Sequence, residues 1–184
     1  MVKSNYKFEH IINAQSYSSF EHSTIKLHLE NDQYIFSTSI HKPPDKKLNT
    51  SELSTLIDAF KRVPFVIGGD FNCIHTHWGN AENKSEGNKL FKWYRDSIDR
   101  HKLYAPKTNE PTCVRANFES FIDIFLVDDG LHIKDNTGTQ KLETLHFASD
   151  HRAVVLQITI SDKVINNEPK SIYNWAKTNF IVLI

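Results

Sequence analysis

The sequence predicts an α/β layered fold, and three observations carry that prediction. Residues 25–29 and 34–40 are short apolar segments separated by the turn signal Asn31-Asp32, so they read as a β-hairpin. Leu53, Leu56, Ile57 and Phe60 then follow at helical spacing. Residues 64–67 form an apolar run that ends at Gly68-Gly69. Strand, crossover helix and strand in succession place helices on a sheet. The chain has 184 residues, 39% of them hydrophobic, enough for one domain with a real core.

Each element has a local reason. Ile25, Leu27 and Leu29 alternate with Lys26 and His28, as on a strand with one wet face. Lys42-Pro43-Pro44-Asp45 ends the second strand, because proline cannot continue a ladder. Asn49 followed by Glu52 has the spacing of a capping box and predicts a helix of about three turns. The buried run Phe65-Val66-Ile67 is followed by two glycines that bring the backbone to the sheet's edge with little bulk, presenting Asp70 and Asn72. A polar loop, 80–87, leads into a second helix with Leu90, Trp93, Tyr94 and Ile98 on one face, fading near Arg100-His101. Residues 106–117 read as loop and 121–127 as a short strand interrupted by Asp123. Asp128-Asp129-Gly130 is a turn, and Ser149-Asp150-His151 precedes a last strand at 153–160. The domain is expected to span 1–160, with 161–184 as a tail that includes Trp175.

Composition excludes several function classes. Lysine plus arginine equals aspartate plus glutamate at 22 each, so no global basic field points to a polyanion, although Lys42, Lys46 and Lys47 form a local cluster. Cys73 and Cys113 make no disulfide framework and no C-x-x-C zinc pattern, which suits a reducing intracellular compartment. No signal peptide or apolar run of spanning length is evident.

Three acids stand where the pattern does not want charge: Asp70 after a buried strand, Asp123 inside one, and Asp150 before one, beside His151. Buried carboxylates are costly unless paired, hydrogen-bonded or metal-bound. Taken singly, Asp123 reads as a strand-end cap and Asp150-His151 as a solvated loop pair. Jointly with Gly-Gly-Asp-x-Asn they supply what phosphodiester cleavage needs: carboxylate oxygens for a hard cation and a histidine that moves protons near neutral pH. His75-x-His77 has a metal-ligand spacing, but nothing completes a zinc site, and a polar loop is the better reading.

The ordered series Gly69-Asp70-Phe71-Asn72, Ser120-Phe121-Ile122-Asp123 and Ser149-Asp150-His151 resembles the motifs of the endonuclease/exonuclease/phosphatase superfamily. Within it, the endonuclease domains of non-LTR, jockey-like retrotransposons are most similar in style, through 39–44, His75-Thr76-His77-Trp78-Gly79-Asn80 and Pro111-Thr112. The resemblance covers roughly 11–160 and implies a four-layer α/β sandwich of two packed mixed sheets. It implies Mg²⁺ as cofactor, with Mn²⁺ as an alternative, and the phosphate backbone of DNA as partner, with no membrane. Location would be nuclear if the target is chromosomal DNA. Asp70 would orient or deprotonate the attacking water, Asn72 would hydrogen-bond the scissile phosphate, and Asp150 would bind the metal. His151 would contact the phosphate with Asp123 behind it, and His41 and Thr112 would touch substrate. Trp78 is expected to pack beneath the loop that carries Asp70.

Two departures temper that expectation. The family's upstream asparagine and metal-binding glutamate have no counterpart in strand context, since Glu9 and Glu21 read as surface charges; the chain resembles a copy lacking the first strands. His41 stands where relatives usually carry a phosphate-contacting tyrosine. The expectation is therefore Mg-dependent DNA nicking, impaired in this chain. The alternatives are a non-catalytic nucleic-acid-binding remnant and a phosphatase of the same superfamily.

Overall fold

A computed structural model describes residues 7–11, 16–29, 32–61, 63–133, 149–152, 154–159 and 179–183. Strands β1 (Phe8–Ile11), β2 (Glu21–His28) and β3 (Tyr34–His41) precede helix α1 (Thr50–Asp58) and strand β4 (Phe65–Asp70). A 3₁₀ turn at Thr76–Trp78, helix α2 (Ser85–His101) and strand β5 (Leu103–Tyr104) follow. Then come β6 (Cys113–Arg115), β7 (Phe118–Ser120), β8 (Asp123–Asp128), β9 (His132–Ile133), β10 (Val155–Thr159) and β11 (Asn179–Leu183).

Six strands form the main sheet, ordered β1-β2-β3-β4-β8-β5. The β3–β4 pair is parallel, with α1 as its crossover, and the other pairs are antiparallel. A second sheet runs β11-β10-β9, and β6-β7 is a separate hairpin. The central strands are buried on both faces, which is why they read as continuous apolar runs. Phe65 and Ile67 of β4, with Ile124 and Leu126 of β8, join the core that also holds Leu53 and Leu56 of α1 and Leu90 of α2. Val66, Phe125 and Val127 point the other way, to a second core shared with Val154 and Leu156. Among the described residues, helices, main sheet and second sheet stack in that order, three of the four expected layers.

Several local expectations are corrected. Asn49 does cap α1, its side chain accepting from Ser51 N–H. Glu52 does not close a capping box; its carboxylate accepts from the amides of Ser18 and Ser19 (3.0 Å each) and from their hydroxyls (2.7 and 2.6 Å). Partial burial pushes this carboxyl's pKa up, but the four hydrogen bonds outweigh that and hold it at about 2, against an ordinary 4.5. A lowered pKa means stabilisation that is complete above the ordinary value and lost as pH falls toward 2. Glu52→Gln is expected to cost about 2 kcal/mol at neutral pH. Its denaturation midpoint should converge on the parent's in acid, which urea unfolding at several pH values would show.

Gly68 and Gly69 are not at the sheet's margin: β4 continues through them to Asp70, between β3 and β8. Ile98 is on the exposed side of α2, whose buried line runs through Leu90, Trp93, Tyr94, Ser97 and His101. The strand expected at 121–127 is β8, which begins at Asp123, so Phe121 and Ile122 precede it and follow β7. Lys42 does not join a basic surface with Lys46 and Lys47: it is fully buried and its Nζ donates to the Pro43 carbonyl. Trp78 is buried in the core that contains Phe71 and Cys73. Of the tail, residues 179–183 pair antiparallel with β10; Trp175 lies outside the described residues.

Candidate active site

Strand register builds the site. Glu21 of β2 pairs with His41 of β3, His41 with Asp70 of β4, and Asp70 with Asp123 of β8. Residues directly opposite one another project to the same face, so these four side chains form a row across the sheet. It ends the strands on the face that packs against the second sheet, where Val66, Phe125 and Val127 also point. Chain segment 112–115 runs beside 150–152, with a bridge between Cys113 and His151 and hydrogen bonds Val114 N–H to Asp150 O and Arg152 N–H to Thr112 O. That pairing brings His151 over the row.

His151 Nδ1 lies 3.0 and 3.2 Å from the two carboxylate oxygens of Asp123, and Nε2 lies 3.9 Å from Asp70 Oδ2. Asp123 is buried, and burial pushes its pKa up; contacts with the Thr112 hydroxyl and with His151 pull it back down, while Asp70 adds to the rise. Its position is fixed from behind, because Thr112 Oγ1 accepts from the amides of Ile122 and Asp123 at 3.1 and 3.0 Å. Thr112 is fully buried, where its hydroxyl supports the backbone of Asp123.

Asn72 has a left-handed backbone (φ 47°), a conformation that asparagine tolerates better than most residues. Its amide N–H donates to Asp70 Oδ1, and its Nδ2 donates to Asp70 Oδ2 and to the Lys42 carbonyl, each at 2.9 Å. Both Nδ2 protons are thus engaged within the chain, where Asn72 orients Asp70. His41 is half-exposed beside Asp70, with Glu21 at 3.8 Å from its Nδ1. Asp150 sits apart from the row. Arg115 Nε donates to its Oδ2 at 2.5 Å, and that hydrogen bond holds the carboxyl below its ordinary range.

Mg²⁺ needs several hard oxygen ligands in near-octahedral geometry. Among the described residues, the donors that come together are Cys113, Asp150 and His151, with ligand atoms within 4.8 Å of one another. One thiol, one imidazole and a carboxylate already engaged by arginine do not fit Mg²⁺. His75 and His77 do not form a metal pair either: His75 Nδ1 accepts from His77 N–H, and the His75 ring stacks on Phe91 at 4.4 Å.

A family model described as endonuclease-reverse transcriptase matches residues 34–155, a span that includes His41, Asp70, Asn72, Thr112, Asp123, Asp150 and His151. The chain belongs to the endonuclease–reverse transcriptase family, within the endonuclease/exonuclease/phosphatase superfamily. Nucleases of this superfamily generally use a divalent metal. No curated protein sequence matches the chain. Among solved structures, the endonuclease domain of TRAS1, a telomere-specific non-LTR retrotransposon, is similar in fold (TM-score 0.57, 16% identity). The match covers 85% of this chain and 68% of that domain. An endonuclease/exonuclease/phosphatase family protein from Leptotrichia buccalis matches with a TM-score of 0.53 and 16% identity, over 74% of this chain and 53% of its own. At such identity the likeness concerns the fold. No helix among the described residues is long and apolar enough to cross a membrane.

Reading the sequence missed Arg115 and Cys113, which flank Asp150, and it set Glu21 aside although β2 carries it to the end of the row. Only the hairpin register could have found Glu21. The other two lie near His151 because 112–115 pairs with 150–152, which no local signal announces.

Proposed function

We propose that this cleft hydrolyses phosphodiester bonds in DNA, weakly in this chain, and that His151 and Asp123 are its central pair. The observation that carries the reading is the position of His151, held by Asp123 at Nδ1 and facing Asp70 from Nε2. A carboxylate behind an imidazole fixes its orientation and stabilises the imidazolium, so Nε2 can hold a proton at the phosphate or leaving oxygen. Asp70, oriented by Asn72, is the base that positions or deprotonates the attacking water. His41, half-exposed next to Asp70, is placed to donate to a phosphate oxygen.

The family's usual metal is Mg²⁺, with Mn²⁺ as the alternative, and it would supply charge stabilisation when bound. The described residues do not cage such an ion, and Arg115 occupies Asp150. The expectation of weak activity rests on the Arg115–Asp150 pair, which engages the carboxylate expected to bind the metal. The family membership supports a nucleic acid as substrate, and an intracellular, nuclear site of action would follow from a chromosomal target.

The test is conversion of supercoiled plasmid to nicked circles with Mg²⁺ and protein in excess. Slow nicking that is lost in His151→Ala is the expected result. Equal rates for the two proteins would overturn the catalytic reading in favour of simple nucleic-acid binding. Many turnovers at substoichiometric protein would overturn the claim of weak activity.

A further inference from the structure

We propose that Cys113, Asp150 and His151 form a site for a borderline-soft divalent cation, with zinc as the fitting ion. The three residues offer one sulfur, one oxygen and one nitrogen, all within 4.8 Å of one another. Zinc takes these three donor types with bonds of about 2.0–2.3 Å in a tetrahedral arrangement. Tetrahedral edges are then on the order of 3.5 Å, so closure asks for shifts of about an ångström.

The scaffold is already in place. The Cys113–His151 bridge and the Val114–Asp150 hydrogen bond fix the backbones that carry all three ligands, so the site is assembled by strand pairing. Cys113 Sγ lies 3.9 Å from Asp150 Oδ2. Asp123 fixes the His151 imidazole through hydrogen bonds to Nδ1, which is how carboxylates commonly orient metal-binding histidines. Arg115 is mostly exposed and can swing off Asp150, or remain on it as an outer-shell partner. Three protein ligands leave one coordination position open to water. On binding, the Cys113 S–H bond breaks, its proton passes to solvent, and a sulfur–metal bond forms; no redox change is involved.

With Nδ1 held by Asp123, the ion takes His151 Nε2, the nitrogen that the proposed hydrolysis uses, so zinc-bound protein would not nick DNA. The optical readout separates failure of this assignment from failure of the nuclease reading. The full chain, kept reduced with a phosphine, is titrated with Co²⁺, whose thiolate charge-transfer band reports sulfur coordination. A saturable band that Zn²⁺ abolishes and excess Mg²⁺ does not is the expected result. Cys113→Ser should remove the band and Cys73→Ser, at the other buried thiol, should leave it. Asp150→Asn should retain the band but weaken Co²⁺ at least 10-fold, which decides the matter if Cys113→Ser does not fold. No charge-transfer band, a band that survives Cys113→Ser, or unchanged affinity in Asp150→Asn would overturn the proposal.

Discussion

Asp123→Asn is expected to lower residual plasmid nicking by about 10²- to 10⁴-fold while leaving the fold in place. The side chain is buried and its volume is conserved, so packing in the core beneath it is retained. The amide nitrogen would still be held by Thr112 Oγ1, because that contact uses the backbone. What changes is the partner of His151 Nδ1. A carboxylate accepts from Nδ1–H and leaves Nε2 to act toward Asp70 and substrate; an amide can present a donor instead and stabilise the wrong tautomer. The comparison to make is single-turnover nicking beside a thermal melt. A large loss of rate with a small change in midpoint supports the positioning role; equal rates would show that the His151–Asp123 pair does no chemistry.

The second large effect is on folding. Gly69→Ala should cost more than about 3 kcal/mol and lower the thermal midpoint by about 10 °C or abolish soluble expression. A Cβ at this position would lie 1.9 Å from the Ile40 carbonyl oxygen and 2.8 Å from its carbonyl carbon and amide nitrogen. Those are backbone atoms of β3, which cannot move without breaking the parallel ladder that carries His41 and Asp70. The φ of 149° adds strain for any L side chain. Gly130→Ala is the milder comparison, since its Cβ would lie 2.8 Å from a side-chain oxygen of Asp128, which can shift at the cost of its hydrogen bond from Gly130 N–H. Similar midpoints for the two variants would refute the close-approach argument.

Local chemistry made much of the fold legible. The hairpin, the Asn49 cap, the apolar face of α1 and the double-sided burial of β4 follow from period, capping and flanking prolines. Ile98 was misplaced because Ser97 and His101, both polar, take the buried positions one step round the helix. Glu52 has the right spacing for a capping box, yet two serines more than thirty residues upstream outcompete the helix end for its carboxylate. Within the site, Asp70, Asp123 and His151 could be picked out as charges in the wrong places. The inward turn of Asn72, the supporting place of Thr112 and the Arg115–Asp150 pair could not, because each depends on a contact between segments distant in sequence.

The row that joins Glu21, His41, Asp70 and Asp123 has a kinetic corollary. Its members come from four separate strands, and the imidazole that completes it lies 28 residues beyond Asp123. During synthesis, none of the chemistry can exist until the ribosome has released residue 151 and the parallel pairing, intrinsically slow to form, has closed. A product terminated before residue 151 would lack the imidazole that the proposed hydrolysis needs.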